Sequence, residues 1–393
     1  MKYISYIIDP AGDVELLLKQ PNSQQLIPFV RSHKSDKESE DPMNEPRVAR
    51  GVPLDARYHV FDDLLSPTKD EEDPDPHGTI TWGSRSVALA EENAIKVRTT
   101  LEGEVRMRVS SRHLILASPF FRSALEGPWR SRTSSFFGKP LRQIIAYKWD
   151  AVAFALVLDI IHGRHRGVPR SVDIMLLTRI ATIVDFYHCQ EVVQIFADHW
   201  YGIDNLLWSE YSSRTLMWLF ISWVFSGEEA FNKATEMTLG HMDDHSNIDT
   251  KELNLNGILT KINGKRQELI NEIVAALHNL RDTLPHSDFL CDWHKYDSPT
   301  CSSIALGILE RELERLGSSD RPLVGPFHGY SIMSMIQLVN DIPESIAATT
   351  EEYDHYHDVS VCSVRGRMRH VLGDVKAELD SWTLDLDKNV RGG

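Results

Sequence analysis

Between residues 105 and 109 apolar and polar side chains alternate: Val105, Met107 and Val109 stand against Arg106 and Arg108. This period of two predicts a strand with one buried face. A second strand signal lies in residues 3–19, where the turn-like Asp9-Pro10-Ala11-Gly12 precedes Asp13-Val14-Glu15-Leu16-Leu17-Leu18. Ile95, Val97 and Thr99 also alternate, and Leu101-Glu102-Gly103-Glu104 can turn the chain into 105–109. Either Val14–Lys19 or Ile95–Thr100 can therefore pair with that strand, and the expectation is that both join one sheet. After residue 110 the pattern becomes helical, first around Leu114 to Leu116, then in a helix begun by Ser118-Pro119 and stopped near Gly127. Serine caps free N–H groups and proline lacks the N–H that would go unpaired. A strand near Leu141 and several short apolar helices complete residues 141–203. Spacing places Leu114, Leu116, Phe120, Phe121, Phe154, Leu158 and Ile161 inward, with Phe186 beside them.

From residue 204 onward the chain reads as helix. Trp208, Trp218 and Trp223 are interleaved with Leu and Phe at helical spacing, as in a packed core rather than a stacking surface. Leu259, Ile262, Leu269, Ile270, Ile273, Leu277, Leu280 and Leu284 fall on one side of a helix from Gly257, stopped by Pro285. Shorter helices are expected near Ser302 to Leu316, ended by Gly317, and from Ser331 to Ile342, closed by Pro343. A charged helix is expected between Val361 and Leu384.

The two stretches VRMRVSSRHLILASPFFRSALEGPW (105–129) and LRQIIAYKWDAVAFALVLDIIHGRHRGVPRSVDIMLLTRIATIVDFYHCQEVVQIFADHW (141–200) together resemble the BTB/POZ fold in its divergent fungal form. The resemblance implies an α+β module, a small sheet flanked by short helices, followed by an α-helical C-terminal region. It makes Val14–Lys19 the module's first strand, since such domains often open with Asp-Val-x-Leu. The organisation expected is a first strand region (1–30), an insertion (31–94), the main module (95–203), a helical region (204–348) and a charged tail (349–393).

Such modules carry no chemistry and bind proteins, by dimerising or by recruiting partners through the first helix and sheet edge. The resemblance places that helix at Arg112 to Ala117, with Arg112, His113 and Ala117 facing a second copy or a partner. Members that serve cullin-type ubiquitin ligases as substrate adaptors carry a hydrophobic-x-Glu triplet after the second helix. Here Trp129-Arg130-Ser131 stands there, and the missing carboxylate removes a charge-assisted hydrogen bond worth roughly 1.5–3 kcal/mol. Weak or no cullin binding is the expectation. No run of Cys2His2 fingers follows the module.

Hydrophobic content of 42% suits an ordinary soluble core. The formal charge of −15 over 393 residues disfavours nucleic acid as a partner, because that needs a basic face. Residues 31–95 hold 15 Asp and Glu against 8 Lys and Arg, with 6 Pro, so this stretch supplies −7 of the −15 and reads as a mostly disordered insertion. Four cysteines without a CxxC pair fit a reducing compartment, cytoplasm or nucleus. No run approaches the ~18 apolar residues that span a bilayer.

No GxGxxG, GxxxxGK[ST], GxSxG or HExxH motif occurs. The expectation is no enzyme, no cofactor and no small-molecule substrate. A reading of another class is a structural zinc held by Cys291, His294, Cys301 and His328, since a Cys-x-x-His pair can fill two corners of a tetrahedron. The runs His241–His245 and Glu351–Asp358 read as solvated polar loops, and His113 and His162 as structural histidines.

Overall fold

The computed structural model describes residues 2–30, 54–64, 103–128, 132–201, 210–286, 300–317, 323–344 and 362–385. It is a mixed α+β structure: a small sheet and its helices, then a C-terminal region that is almost wholly helical.

The strands are β1 (Lys2–Ile7), β2 (Val14–Lys19), β3 (Phe29–Val30), β4 (Gly103–Val109), β5 (Arg132–Ser134), β6 (Leu141–Tyr147) and β7 (Ile248–Asp249). Five of them form one sheet in the order β1-β4-β2-β6-β5. The partner of the 105–109 strand is therefore Val14–Lys19, antiparallel, with Leu16 opposite Met107. Its other neighbour is β1, parallel, while Ile95–Thr100 lies outside the described residues. The turn at residues 9–12 thus joins two strands that do not pair with each other, because β4 sits between them.

Alternation decides which face of β4 is buried, whereas β2, between β4 and β6, is buried on both. Val14, Leu16 and Leu18 of β2 and Val105, Met107 and Val109 of β4 are fully enclosed beneath the helices. The opposite face carries a polar row. The Glu15 carboxylate accepts from Arg106 Nη1 and Gln143 Nε2, both at 2.9 Å, and the Arg106 guanidinium stacks 4.6 Å over Phe136.

Two short helices follow β4: α1 (Ser111–Ala117) and α2 (Pro119–Glu126). Ser118 caps α2 through the Phe121 N–H, with Pro119 in the first turn, as the Ser-Pro pair predicts. After β6 come α3 (Ala151–Ile161), α4 (Ile174–Tyr187) and α5 (Gln190–Trp200). Asp150 and Asp173 cap α3 and α4. Every residue of α3 is buried, so this helix forms the centre of the domain.

The C-terminal region contains α6 (Ser213–Phe225), α7 (Glu228–His241), α8 (Asn256–Thr283), α9 (Thr300–Arg315), α10 (Ile332–Asn340) and α11 (Val364–Ser381). Leu259, Ile262, Leu269, Ile270 and Ile273 of α8 are fully enclosed, as their one-sided spacing requires. Trp218 and Trp223 are core residues of α6, and Trp208 lies outside the described residues. One hydrophobic cluster runs through both halves, from Ile4 to Leu379. β3 pairs with β7, and Glu252 N–H donates to Gln25 O, so residues 25–30 belong to the C-terminal region as much as to the sheet.

Within the acidic insertion, residues 54–64 depart from the expectation of disorder. A 3-10 turn (Ala56–Leu64) buries Tyr58 and Phe61 completely in the core. Charge and proline content hid two aromatics spaced three apart.

Candidate interaction surface

The start of α1 is held by β2. Asp13 accepts the Ser111 N–H at 2.8 Å and the Ser111 hydroxyl at 2.7 Å. Burial pushes the Asp13 carboxyl up, but these two Ser111 bonds outweigh it and hold it below the usual range. From the other side the Ser110 N–H donates to Nε2 of His162 at 3.0 Å, whose Nδ1 meets Leu158 O. The His113 ring lies tilted against that of His162, with ring centres 5.0 Å apart. The histidines expected to be structural thus meet, although His113 itself is exposed.

α1 presents Arg112 and His113 to solvent, while Ala117 is half-buried. Three residues expected inward are not enclosed: Leu116 is 82% exposed, Phe186 49% and Phe120 37%. The helix is too short for its far end to reach the core. Leu114 fills that position, and Leu116, two residues on, is rotated to the opposite side. Phe120 and Phe186 lie against each other at 5.2 Å on the rim of an aromatic cluster, while Phe121 and Phe154 take its buried centre around Tyr187. Beside them an open groove of about 540 Å³ runs between α2 and β6. It is lined by Phe120, Ala124, Ile144, Ile145 and Tyr147, with Arg132 and Arg142 at its rim. Trp129, Arg130 and Ser131 lie outside the described residues.

Of the four residues named for a zinc site, two are described. Cys291 and His294 fall outside the described residues, and Cys301 stands in the first turn of α9. His328 instead bonds to Asp244 through Nδ1. Burial raises the Asp244 carboxyl, but bonds from Ser246 and His328 outweigh it and bring it down to about 2. The His241–His245 run is therefore only partly a solvated loop, since Met242 and Asp244 are buried. Glu351–Asp358 lies outside the described residues. Among the described residues no group of three or more His, Cys, Asp and Glu is placed to hold a metal ion, and no helix is long and apolar enough to cross a membrane.

Sequence patterns gave no notice of a buried charge centre on α3. Asp159 is fully enclosed and accepts the hydroxyls of Tyr6 (2.7 Å) and Tyr58 (2.9 Å). Arg57 and Arg164 each lie 3.6 Å from its carboxylate. Burial, then the neighbouring Asp159, pushes both tyrosine hydroxyls far above their ordinary range, so they remain donors. The one available hint was an acid at position 159 inside an apolar helix. The Cys189 thiol is likewise buried and pushed up to about 12, so it stays protonated at neutral pH.

Comparison with protein-family models, with curated proteins and with solved structures returns no match.

Proposed function

We propose that this chain is a non-enzymatic protein-interaction protein built on a BTB/POZ-like module, and that the exposed face of α1 binds a second copy or a protein partner. The order of elements supports the module: an antiparallel β2–β4 pair, two short helices, β6 returning parallel to β2, then three helices.

The observation that carries the functional reading is Leu116. It is the most exposed large apolar side chain among the described residues, and it lies on α1 with exposed Arg112 and His113. Burying a leucine contributes roughly 1.5–3 kcal/mol, which a solvent-facing position forgoes until a partner covers it.

Sedimentation velocity of the full chain and of Leu116→Asp tests this, with cross-linked partner capture run in parallel. The expected result is association of the parent chain and its loss in Leu116→Asp at unchanged melting temperature. Equal association, or a monomer that captures nothing in both, rejects the reading.

A further inference from the structure

The segment 54–64 is held to the rest of the protein as a ligand is held. It keeps its own shape: the Tyr58 N–H bonds to Asp55 O at 3.0 Å, the Arg57 N–H to Asp55 Oδ1 at 3.1 Å, and His59 to Asp62 at 3.0 Å. Among the described residues no backbone hydrogen bond joins it to a strand or helix. Its attachments are side chains, and each enters a prepared place.

The Tyr58 hydroxyl reaches the buried Asp159 carboxylate, and the Phe61 ring is fully enclosed with its centre 5.3 Å from that of Tyr6. The Arg57 guanidinium lies directly over Gly167, where a Cβ would come within 2.4 Å of Arg57 Cζ and 2.5 Å of Nε and would push the guanidinium aside. Arg57 Nη1 has no hydrogen-bond partner and faces Asp159 Oδ2 at 3.6 Å, so charge proximity alone links the two groups.

We propose that this face of β1 and α3 is a peptide-binding site that reads an Arg-Tyr-x-x-Phe segment. Residues 54–64 fill it in cis, and the same segment of a second copy fills it in trans. The chain outside the described residues gives the reach: residues 31–53 and 65–102 flank the segment, at up to about 3.3–3.6 Å per extended residue. A copy with an empty site and a copy with a free segment are complementary because site and ligand are encoded in one chain. This goes beyond the α1 reading and does not depend on it.

The test uses full-length protein carrying Tyr58→Ala and Phe61→Ala, titrated into a fluorescein-labelled peptide of residues 54–64 and read by anisotropy. Saturable binding is expected, at least ten-fold weaker on the unsubstituted chain, whose own segment competes. Adding Gly167→Ala to the variant should lower peptide affinity at least ten-fold and leave its melting temperature unchanged. Mixing the Tyr58→Ala/Phe61→Ala chain with a Gly167→Ala chain should give a one-to-one heterodimer by sedimentation.

A Tyr58→Ala/Phe61→Ala chain that does not fold makes the segment indispensable to the fold and overturns the proposal. So does a folded one that ignores the peptide, or binds it equally with Gly167→Ala. Peptide binding without the heterodimer overturns the second copy as occupant. Leu116→Asp should leave every one of these readings unchanged, which separates this site from the α1 surface.

Discussion

The backbone N–H of Ser110 points at Nε2 of His162, so that nitrogen must be unprotonated and the ring hydrogen must sit on Nδ1, where it donates to Leu158 O. A side chain at the end of α3 thereby fixes the peptide bond that enters α1. Burial lowers the His162 pKa. A lowered folded-state value means the native state binds fewer protons than the unfolded chain. The stabilisation is then present above the ordinary histidine range near 6.5 and is lost as pH falls below it. Melting temperature should fall between about pH 7 and 5, and His162→Gln should flatten that slope while lowering stability at pH 7.5. An unchanged slope in the variant would assign it to other groups.

Phe120 and Phe121 are adjacent yet should respond differently. Phe121→Ala and Phe154→Ala remove fully enclosed rings and should each cost about 3–5 kcal/mol in urea unfolding. Phe120→Ala, at a part-exposed rim position, should cost roughly 1 kcal/mol.

Arg266 should be among the most sensitive polar positions. It is fully buried on α8, where Nη1 and Nη2 donate to the carbonyls of Phe327, Tyr330 and Pro326, and Nε to Asn263. Burial lowers its pKa, and the negative charges of Asp244 and Asp243 oppose that. Arg266→Leu would remove the donor from the Pro326 and Tyr330 carbonyls and leave Phe327 O only the Tyr330 N–H, and should cost roughly 3–5 kcal/mol. Limited proteolysis should also show the 323–330 segment becoming susceptible before the rest of the chain.

Deleting residues 35–88 should lower stability by at least about 3 kcal/mol, because Tyr58 and Phe61 leave the core with the segment. Deleting only 66–88 removes none of the described contacts and should leave the melting temperature within a few degrees. Equal effects of the two deletions would show that the aromatic pair contributes little.

Periodicity made most of the framework legible. The alternation at 105–109, the Ser118-Pro119 start and the one-sided leucines of α8 each depend on near neighbours in sequence, and each element lies where they place it. What local pattern could not supply is pairing at a distance. Nothing in residues 2–19 says that β4 will divide β1 from β2, nor that Asp159 will meet Tyr58 across 101 positions. The same limit misplaced Leu116: its apolar neighbours in the sequence suggested a buried face, but a seven-residue helix offers the core only Leu114. His328 could be matched with cysteines by residue type, yet its carboxylate partner Asp244 is 84 positions away.

The division of β1 from β2 has a kinetic consequence. Neither strand has its neighbour until Gly103–Val109 has been synthesised and folded back, so the N-terminal strands wait unpaired while the chain from 20 to 102 emerges. Pairing of β1 and β2 with β4 therefore waits on closure of that stretch, and β6 can join β2 only later still. Closure entropy grows slowly with length, by only about 0.6 kcal/mol per doubling, so the intervening stretch can lengthen with little penalty. Register within β4 has no such latitude. A slip of one residue would turn Val105, Met107 and Val109 outward and drive Arg106 and Arg108 beneath the helices.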